Sequence, residues 1–333
     1  MTETGENKSR GVLLLNLGGP DSIEAVRPFL FNLFSDRDII RLGPVFLQKP
    51  LAYLISALRH KKTESFYKLI GGKSPIREIT AAQARALEEE INGPEMSDDR
   101  LRSSRVYYGM RYWHPLIEDV VPAMYEDGIR RLVVLSLYPQ YSIATSGSSL
   151  SKLKDVLTRF PIKTFCISTW FDNALYIDAL VDMIKKGIFS FHPSSDRVHI
   201  LFSAHSLPKK FIDEGDPYLE QIRGTITEIA KKIEITWDLA FQSKSGPVLW
   251  LEPSTDEMIK KLAQRGIKNL LVVPVSFVSD HIETLYEIDI LYKEMAVRLG
   301  IKLKRTESLN TSPLFISALK DIVLRGMKEA EWA

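Results

Sequence analysis

The sequence predicts an α/β protein built on parallel sheets. Runs of strand length alternate with segments of helical period along the chain, and most of these runs are continuously apolar, as strands covered on both faces must be. A third observation bears on lobe number. Gly128-Ile-Arg-Arg-Leu-Val-Val134 is echoed by Gly266-Ile-Lys-Asn-Leu-Leu-Val272. Each follows a helix and opens a buried strand, which favours two similar lobes, each with its own sheet.

Strands are expected at 11–17, 106–110, 132–137, 162–167, 198–202, 239–241 and 270–275, where apolar residues run without a polar alternate. Helical period fills the intervals at 22–34, 48–60, 78–92, 114–126, 173–187, 217–233, 254–265, 281–299 and 313–329. A ligand of such a protein would sit between the lobes, near the carboxyl ends of the strands. No low-complexity segment or long linker interrupts the pattern.

Composition narrows the function classes. The 333 residues are 45% hydrophobic and 26% charged, with net charge +2, ordinary for a globular protein and too mild for nucleic-acid binding. The single cysteine, Cys166, excludes an intrachain disulfide and a cysteine-ligated zinc or iron–sulfur site. A reducing compartment fits, and a cytoplasmic location is expected. The polar start has no apolar core of a secretory signal, and the longest apolar stretch, 50–58, is too short to span a bilayer.

Four stretches are candidates for chemistry. His205 follows the predicted strand at 198–202, where open α/β sheets place ligand-contacting groups. A turn-capping histidine is an equal alternative there, but imidazole also binds divalent metals and accepts protons near neutral pH. In Ser279-Asp-His-Ile-Glu-Thr-Leu-Tyr-Glu287, Asp280 and Glu283 read as a helix N-terminal box. The acids nevertheless continue: on an α-helical wheel, Asp280, Glu283, Glu287 and Glu294 lie within about 60° of one another. Such a line of carboxylates suits a hard cation or proton traffic, although a surface stripe has the same spacing. Asn16-Leu-Gly-Gly-Pro-Asp21 lacks the glycine spacing of a dinucleotide loop, and Pro20 removes a donor. Its paired glycines would let a flat ligand approach the backbone. The hydroxyl-rich 140–149 stretch suits an anion or a helix N-cap, and no Gly-x-Ser-x-Gly nucleophile motif is present.

Taken together, Asn16-Leu-Gly-Gly-Pro20, Ile70-Gly-Gly-Lys-Ser-Pro-Ile76, Tyr138-Pro-Gln-Tyr-Ser142, Ser203-Ala-His-Ser-Leu-Pro208, Gln242-Ser-Lys-Ser-Gly-Pro247 and the 279–287 segment resemble the ferrochelatase family, in the same order, over about residues 11–325. The resemblance implies two similar lobes, each a four-stranded parallel sheet flanked by helices, with a porphyrin in the cleft between them. It places residues 1–145 and 310–333 in the first lobe, the C-terminal helix packing back on it, and 146–309 in the second.

The resemblance also implies roles. His205 and Glu283 would be the catalytic pair at the metal site, and Asp280, His281 and Glu287 the adjoining proton and metal path. Leu17, Tyr138, Trp250 and Phe277 would line the porphyrin face. Arg59, Tyr67, Ser74 and Arg111 would hold or shape the propionate end. Fe²⁺ is then a substrate, and no organic cofactor is expected. Ile143 stands where some members carry a cluster cysteine, so no iron–sulfur cluster is expected. Lys73 departs from the glycine common in the family.

Iron insertion into protoporphyrin to form heme is therefore the expected reaction, with two N–H protons released. A neutral imidazole at His205 would accept them, since its ordinary pKa of about 6.5 leaves it mostly free base at pH 7. The apolar stretch 44–58, followed by Arg59-His-Lys-Lys62, reads either as a packed helix or as a lip touching the inner membrane peripherally. Coproporphyrin is the alternative substrate. A chelatase for another tetrapyrrole or metal, or a non-enzymatic tetrapyrrole- or metal-binding protein of the same architecture, is the alternative function.

Overall fold

A computed structural model describes residues 10–93, 104–191 and 197–332. The polar start discussed above lies outside the described residues up to residue 9. Two four-stranded, wholly parallel sheets organise the chain. The first holds β1 (Arg10–Asn16), β2 (Arg105–Met110), β3 (Arg131–Ser136) and β4 (Lys163–Ile167), in the order β2-β1-β3-β4. The second holds β5 (Val198–His205), β6 (Trp237–Gln242), β7 (Asn269–Pro274) and β8 (Lys302–Arg305), in the order β6-β5-β7-β8. The two orders are the same topology, which gives structural content to the repeated Gly-Ile-x-x-Leu sequence.

Helices cover both sheets: α1 (Val26–Ser35), α2 (Gln48–Leu69), α3 (Ile76–Ile91), α4 (Ile117–Glu126), α5 (Ser148–Leu157) and α6 (Ala174–Phe189), then α7 (Lys209–Asp213), α8 (Tyr218–Lys232), α9 (Thr255–Gln264), α10 (Lys293–Arg298) and α11 (Pro313–Glu329). The lobes share one apolar interior. Val12, Leu14 and Leu135 of the first sheet join Phe202 and Val273 of the second in a buried cluster with α6, α8 and α11. Phe315 of α11 is fully buried there beside Trp170. Each such side chain contributes about 1.5–3 kcal/mol by leaving water.

Three differences from the sequence reading have physical causes. First, β4 pairs with β3 in register from Arg131↔Lys163 to Leu135↔Ile167, so residues 163–167 stand in the first sheet rather than beside β5–β8. The α11 helix closes on this strand; a Cβ on Gly326 would lie 2.6 Å from Ile167 Cδ1. Second, β8 was not expected, because Lys-Leu-Lys-Arg shows only one buried apolar residue, Leu303, as a charged edge strand does. Third, β5 does not end at residue 202. It continues through Ser203 and Ala204, both fully buried, so that His205 is its last residue.

Candidate active site

The site is built where strands β5, β6 and β7 end together. His205 is paired in register with Gln242, the last residue of β6, and its backbone N–H donates to Ser276 Oγ just beyond β7 at 3.0 Å. After β7 the chain enters a π-helical segment, Glu283–Tyr292, not the α-helix that the wheel assumed. Glu283 and Glu287, four residues apart, stay side by side in it as they would in an α-helix, and both reach Ser243; Glu294 falls beyond it, in α10.

His205 Nδ1 lies 2.7 Å from Glu283 Oε2. Ser243 Oγ lies 2.7 Å from Oε2 of both Glu283 and Glu287. A hydroxyl has one hydrogen to donate, so two carboxylate contacts require either that one acid carries a proton or that the hydroxyl is shared between them. Gln242 Nε2 donates to the Glu283 main-chain oxygen at 3.0 Å and approaches Glu287 Oε2 at 3.3 Å. Ser203 Oγ donates to Gln242 Oε1 at 2.6 Å and so fixes the amide's orientation. The result is a continuous line, His205–Glu283–Ser243–Glu287.

Charge states follow from this geometry. Burial alone would raise the Glu283 carboxyl, but the facing His205, with His281 behind it, holds it well below the ordinary carboxylate range. Glu287 is pushed up to about 7, first by burial and then by the Glu283 charge. Burial would depress His205, but Glu283 and Glu287 outweigh it and raise its proton affinity. This corrects the expectation of an ordinary, mostly free-base imidazole: His205 holds a proton more tightly than a free histidine does. Its side chain is still 35% exposed, so the ring sits among protein groups with one edge open.

Both lobes furnish the surroundings. Tyr67 on α2 is buried and Tyr138 beyond β3 is half-buried, and desolvation together with the Glu283 charge holds both phenols far up. Phe66 stacks on Tyr286 of the π-helical segment with centroids 4.3 Å apart. Phe277 stands between the histidines, its ring edge-on to His205 at 6.3 Å and to His281 at 4.3 Å. His281 Nε2 is 3.8 Å from Glu283 Oε1, while Nδ1 approaches the Ser279 carbonyl at 3.0 Å. Tyr138 donates to Asn16 Oδ1, next to Leu17 at the end of β1. Trp250 Nε1 is buried and finds no hydrogen-bond partner among the described residues.

Other sequence candidates are placed differently. Asp280 does not join the line of acids; Arg305, Ser308, Asn310 and Thr284 hold its carboxylate. Arg111 turns inward to Asp36 at 2.7 Å and to Ser148 at 2.9 Å. Ser74 is buried against the Gly18-Gly19 turn, where a Cβ on Gly19 would meet Ser74 Oγ at 2.7 Å. That glycine thus admits a serine from its own chain. Arg59 is exposed, its guanidinium 5.6 Å from the Phe34 ring centroid. The sequence reading assigned no role to Gln242 or Ser243. The available signal was that β6 runs out beside β5, which puts a Gln-Ser pair next to His205.

Among the described residues, no group of three or more His, Cys, Asp or Glu forms a ready metal cage, and no helix is long and apolar enough to cross a membrane. Val45, Phe46, Tyr53, Leu54 and Leu58 are nevertheless exposed together on and before α2.

The ferrochelatase family profile matches residues 9–327. The ferrochelatase of Geotalea uraniireducens (strain Rf4) is 54% identical over 318 residues, covering 94% of this chain and 96% of that protein. The ferrochelatase of Geobacter metallireducens is 52% identical over 321 residues, covering 95% and 98%. Among solved structures, SirB from Bacillus subtilis with Fe³⁺ shares the fold with a TM-score of 0.57 at 11% identity, covering 97% of this chain and 98% of that one. With the motifs, the paired sheets and these end-to-end matches in agreement, the chain belongs to the ferrochelatase family and has a ferrochelatase-type enzymatic function in heme biosynthesis.

Proposed function

We propose that the chain inserts Fe²⁺ into protoporphyrin IX, with His205 and Glu283 as the central pair. The observation that carries the reading is the His205–Glu283 contact at the end of β5, continued through Ser243 to Glu287. Insertion must remove two pyrrole protons and replace the water around iron. His205 faces the macrocycle as proton acceptor; metal or porphyrin binding first drives the proton it shares with Glu283 through Ser243 to Glu287, which releases it to water and leaves the imidazole free. Glu283, kept ionised, is the oxygen ligand that meets Fe²⁺ on its way in. Each proton passes from His205 through Glu283 and Ser243 to Glu287, whose affinity near neutral pH lets it take and release a proton. His281 orients Glu283 from the other side.

The macrocycle lies between the lobes, with Leu17, Tyr138, Trp250 and Phe277 against its faces. Tyr67 and Ser74 shape the propionate end, and Arg59 carries the open cation there. Arg111, held by Asp36, shapes that end from inside. The exposed apolar group before and on α2, with basic residues 59–62 behind it, supports a peripheral contact with the cytoplasmic face of the inner membrane, where an apolar porphyrin is delivered. This lip favours protoporphyrin over the more polar coproporphyrin.

The test is anaerobic metallation followed by absorbance, with protoporphyrin and coproporphyrin run in parallel. Wild type should turn over protoporphyrin faster, while His205→Ala and Glu283→Gln each lose about 100-fold or more in rate. Faster turnover of coproporphyrin would reassign the substrate. Binding of both porphyrins with no metal entry would make the chain a carrier.

A further inference from the structure

π-Helical turns are rare and occur frequently at functional sites. The π-helical segment that carries Glu283 and Glu287 is tied from outside by Arg305, the last residue of β8. Its Nε and Nη2 donate to the two oxygens of Asp289 at 3.0 and 2.8 Å. Its Nη1 reaches Asp280 Oδ1 at 2.9 Å and the Thr306 carbonyl at 3.0 Å. The Arg305 side chain is 9% exposed and Asp280 is 17% exposed, so that ion pair is largely shielded from water, where charge-assisted bonds are strongest; Asp289 is 36% exposed, and its pair draws on the two-point geometry of the guanidinium.

The two acids bracket the working residues. Asp280 precedes His281, and Asp289 lies two residues after Glu287. Asp280 is itself completed by Ser308 and Asn310 of the following loop, and Thr284 of the π segment donates to it at 3.0 Å. Thr284 Oγ1 in turn accepts the His281 backbone N–H at 3.0 Å. We infer that Arg305 is a positioning residue for iron insertion: one guanidinium on β8 clamps the π-helical segment at Asp280 and Asp289, and so sets where Glu283 and Glu287 meet Ser243 and His205. Asp280 thereby belongs to the support of the acids rather than to the line along which protons or iron move. The inference rests on the chelatase reading of the site.

Full-length wild type, Arg305→Lys and Asp289→Asn would be compared. Lysine keeps the charge but cannot form the planar pair to Asp289 while also reaching Asp280. Three readouts are needed: kcat and KM for anaerobic iron insertion, normalised to porphyrin-binding sites; porphyrin affinity by fluorescence quenching; and amide hydrogen exchange over 281–292. Arg305→Lys should lower kcat by about 10- to 100-fold, leave porphyrin affinity within about threefold, and speed exchange in 281–292 while β5 is unchanged. Asp289→Asn should do the same to a smaller extent, and decides the matter alone if Arg305→Lys does not fold. Normalised kcat within about twofold of wild type in the folded variants overturns the inference, and so does unchanged exchange over 281–292. If wild type itself inserts no iron, the chelatase reading fails, and the exchange data still judge the clamp.

Discussion

Removing the Ser243 hydroxyl should slow iron insertion without emptying the site. Its Oγ is 2.7 Å from both Glu283 and Glu287. A hydrogen bond to a charged partner is worth about 1.5–3 kcal/mol, and without it the two carboxyls face each other with no shared hydrogen. If that energy is used while protons leave, Ser243→Ala lowers kcat by about 10- to 100-fold. The backbone offers an internal control. Ser243 sits at φ 68°, a left-handed conformation that costs a residue bearing a Cβ about 1–2 kcal/mol and glycine almost nothing. Ser243→Gly should therefore lose activity as Ser243→Ala does, yet be about 1 kcal/mol more stable than the alanine variant. Anaerobic stopped-flow absorbance gives the rate, and urea unfolding gives the stability. A Ser243→Ala enzyme within twofold of wild type would refute the relay, whatever the glycine variant does.

Glu287 holds its proton to a higher pH in the folded chain than in the unfolded one, so the native state binds more protons between about 4.5 and about 7, and its contribution to stability falls as pH rises through that window. Glu287→Gln should stabilise the protein more at pH 8 than at pH 5, by at most about 3 kcal/mol; equal effects at both pH values in thermal melts would contradict the charge assignment. Phe46→Ser combined with Leu58→Ser removes two side chains whose burial in lipid is worth about 1.5–3 kcal/mol each, so co-sedimentation with phosphatidylglycerol vesicles should weaken by at least about 100-fold. Unchanged sedimentation would leave the lip as a protein surface only. Phe315→Ala, in the interior common to both lobes, should cost about 3–5 kcal/mol in urea unfolding. A loss below about 1 kcal/mol would mean that α11 is not part of that interior.

Much of the frame was legible along the chain because its signals are local. Continuous apolar runs such as Leu270-Leu-Val-Val273 can only be strands or short helices covered on both sides, and the repeat between 128–134 and 266–272 pointed to two sheets. The edge strand β8 was hidden because a charged edge has no such pattern. His205 and Glu283 were found from their places at strand and helix ends and from the motifs around them. Ser243 was passed over, because its importance lies in two contacts reaching 40 and 44 residues along the chain.

The sequence by itself determined the class of fold, the family and the residue types that could handle protons and iron. The tertiary structure decided how those residues pair and how they are charged. The end of β6 brings Ser243 to within 2.7 Å of both Glu283 and Glu287, which the π-helical segment presents side by side. Arg305 draws Asp280 away from that line. His205 and Glu283, 78 residues apart, shift each other's proton affinity only because folding seats them 2.7 Å apart, partly withdrawn from water. Coulomb interactions depend on distance and on the surrounding dielectric, and a linear sequence specifies neither until the chain has closed on itself.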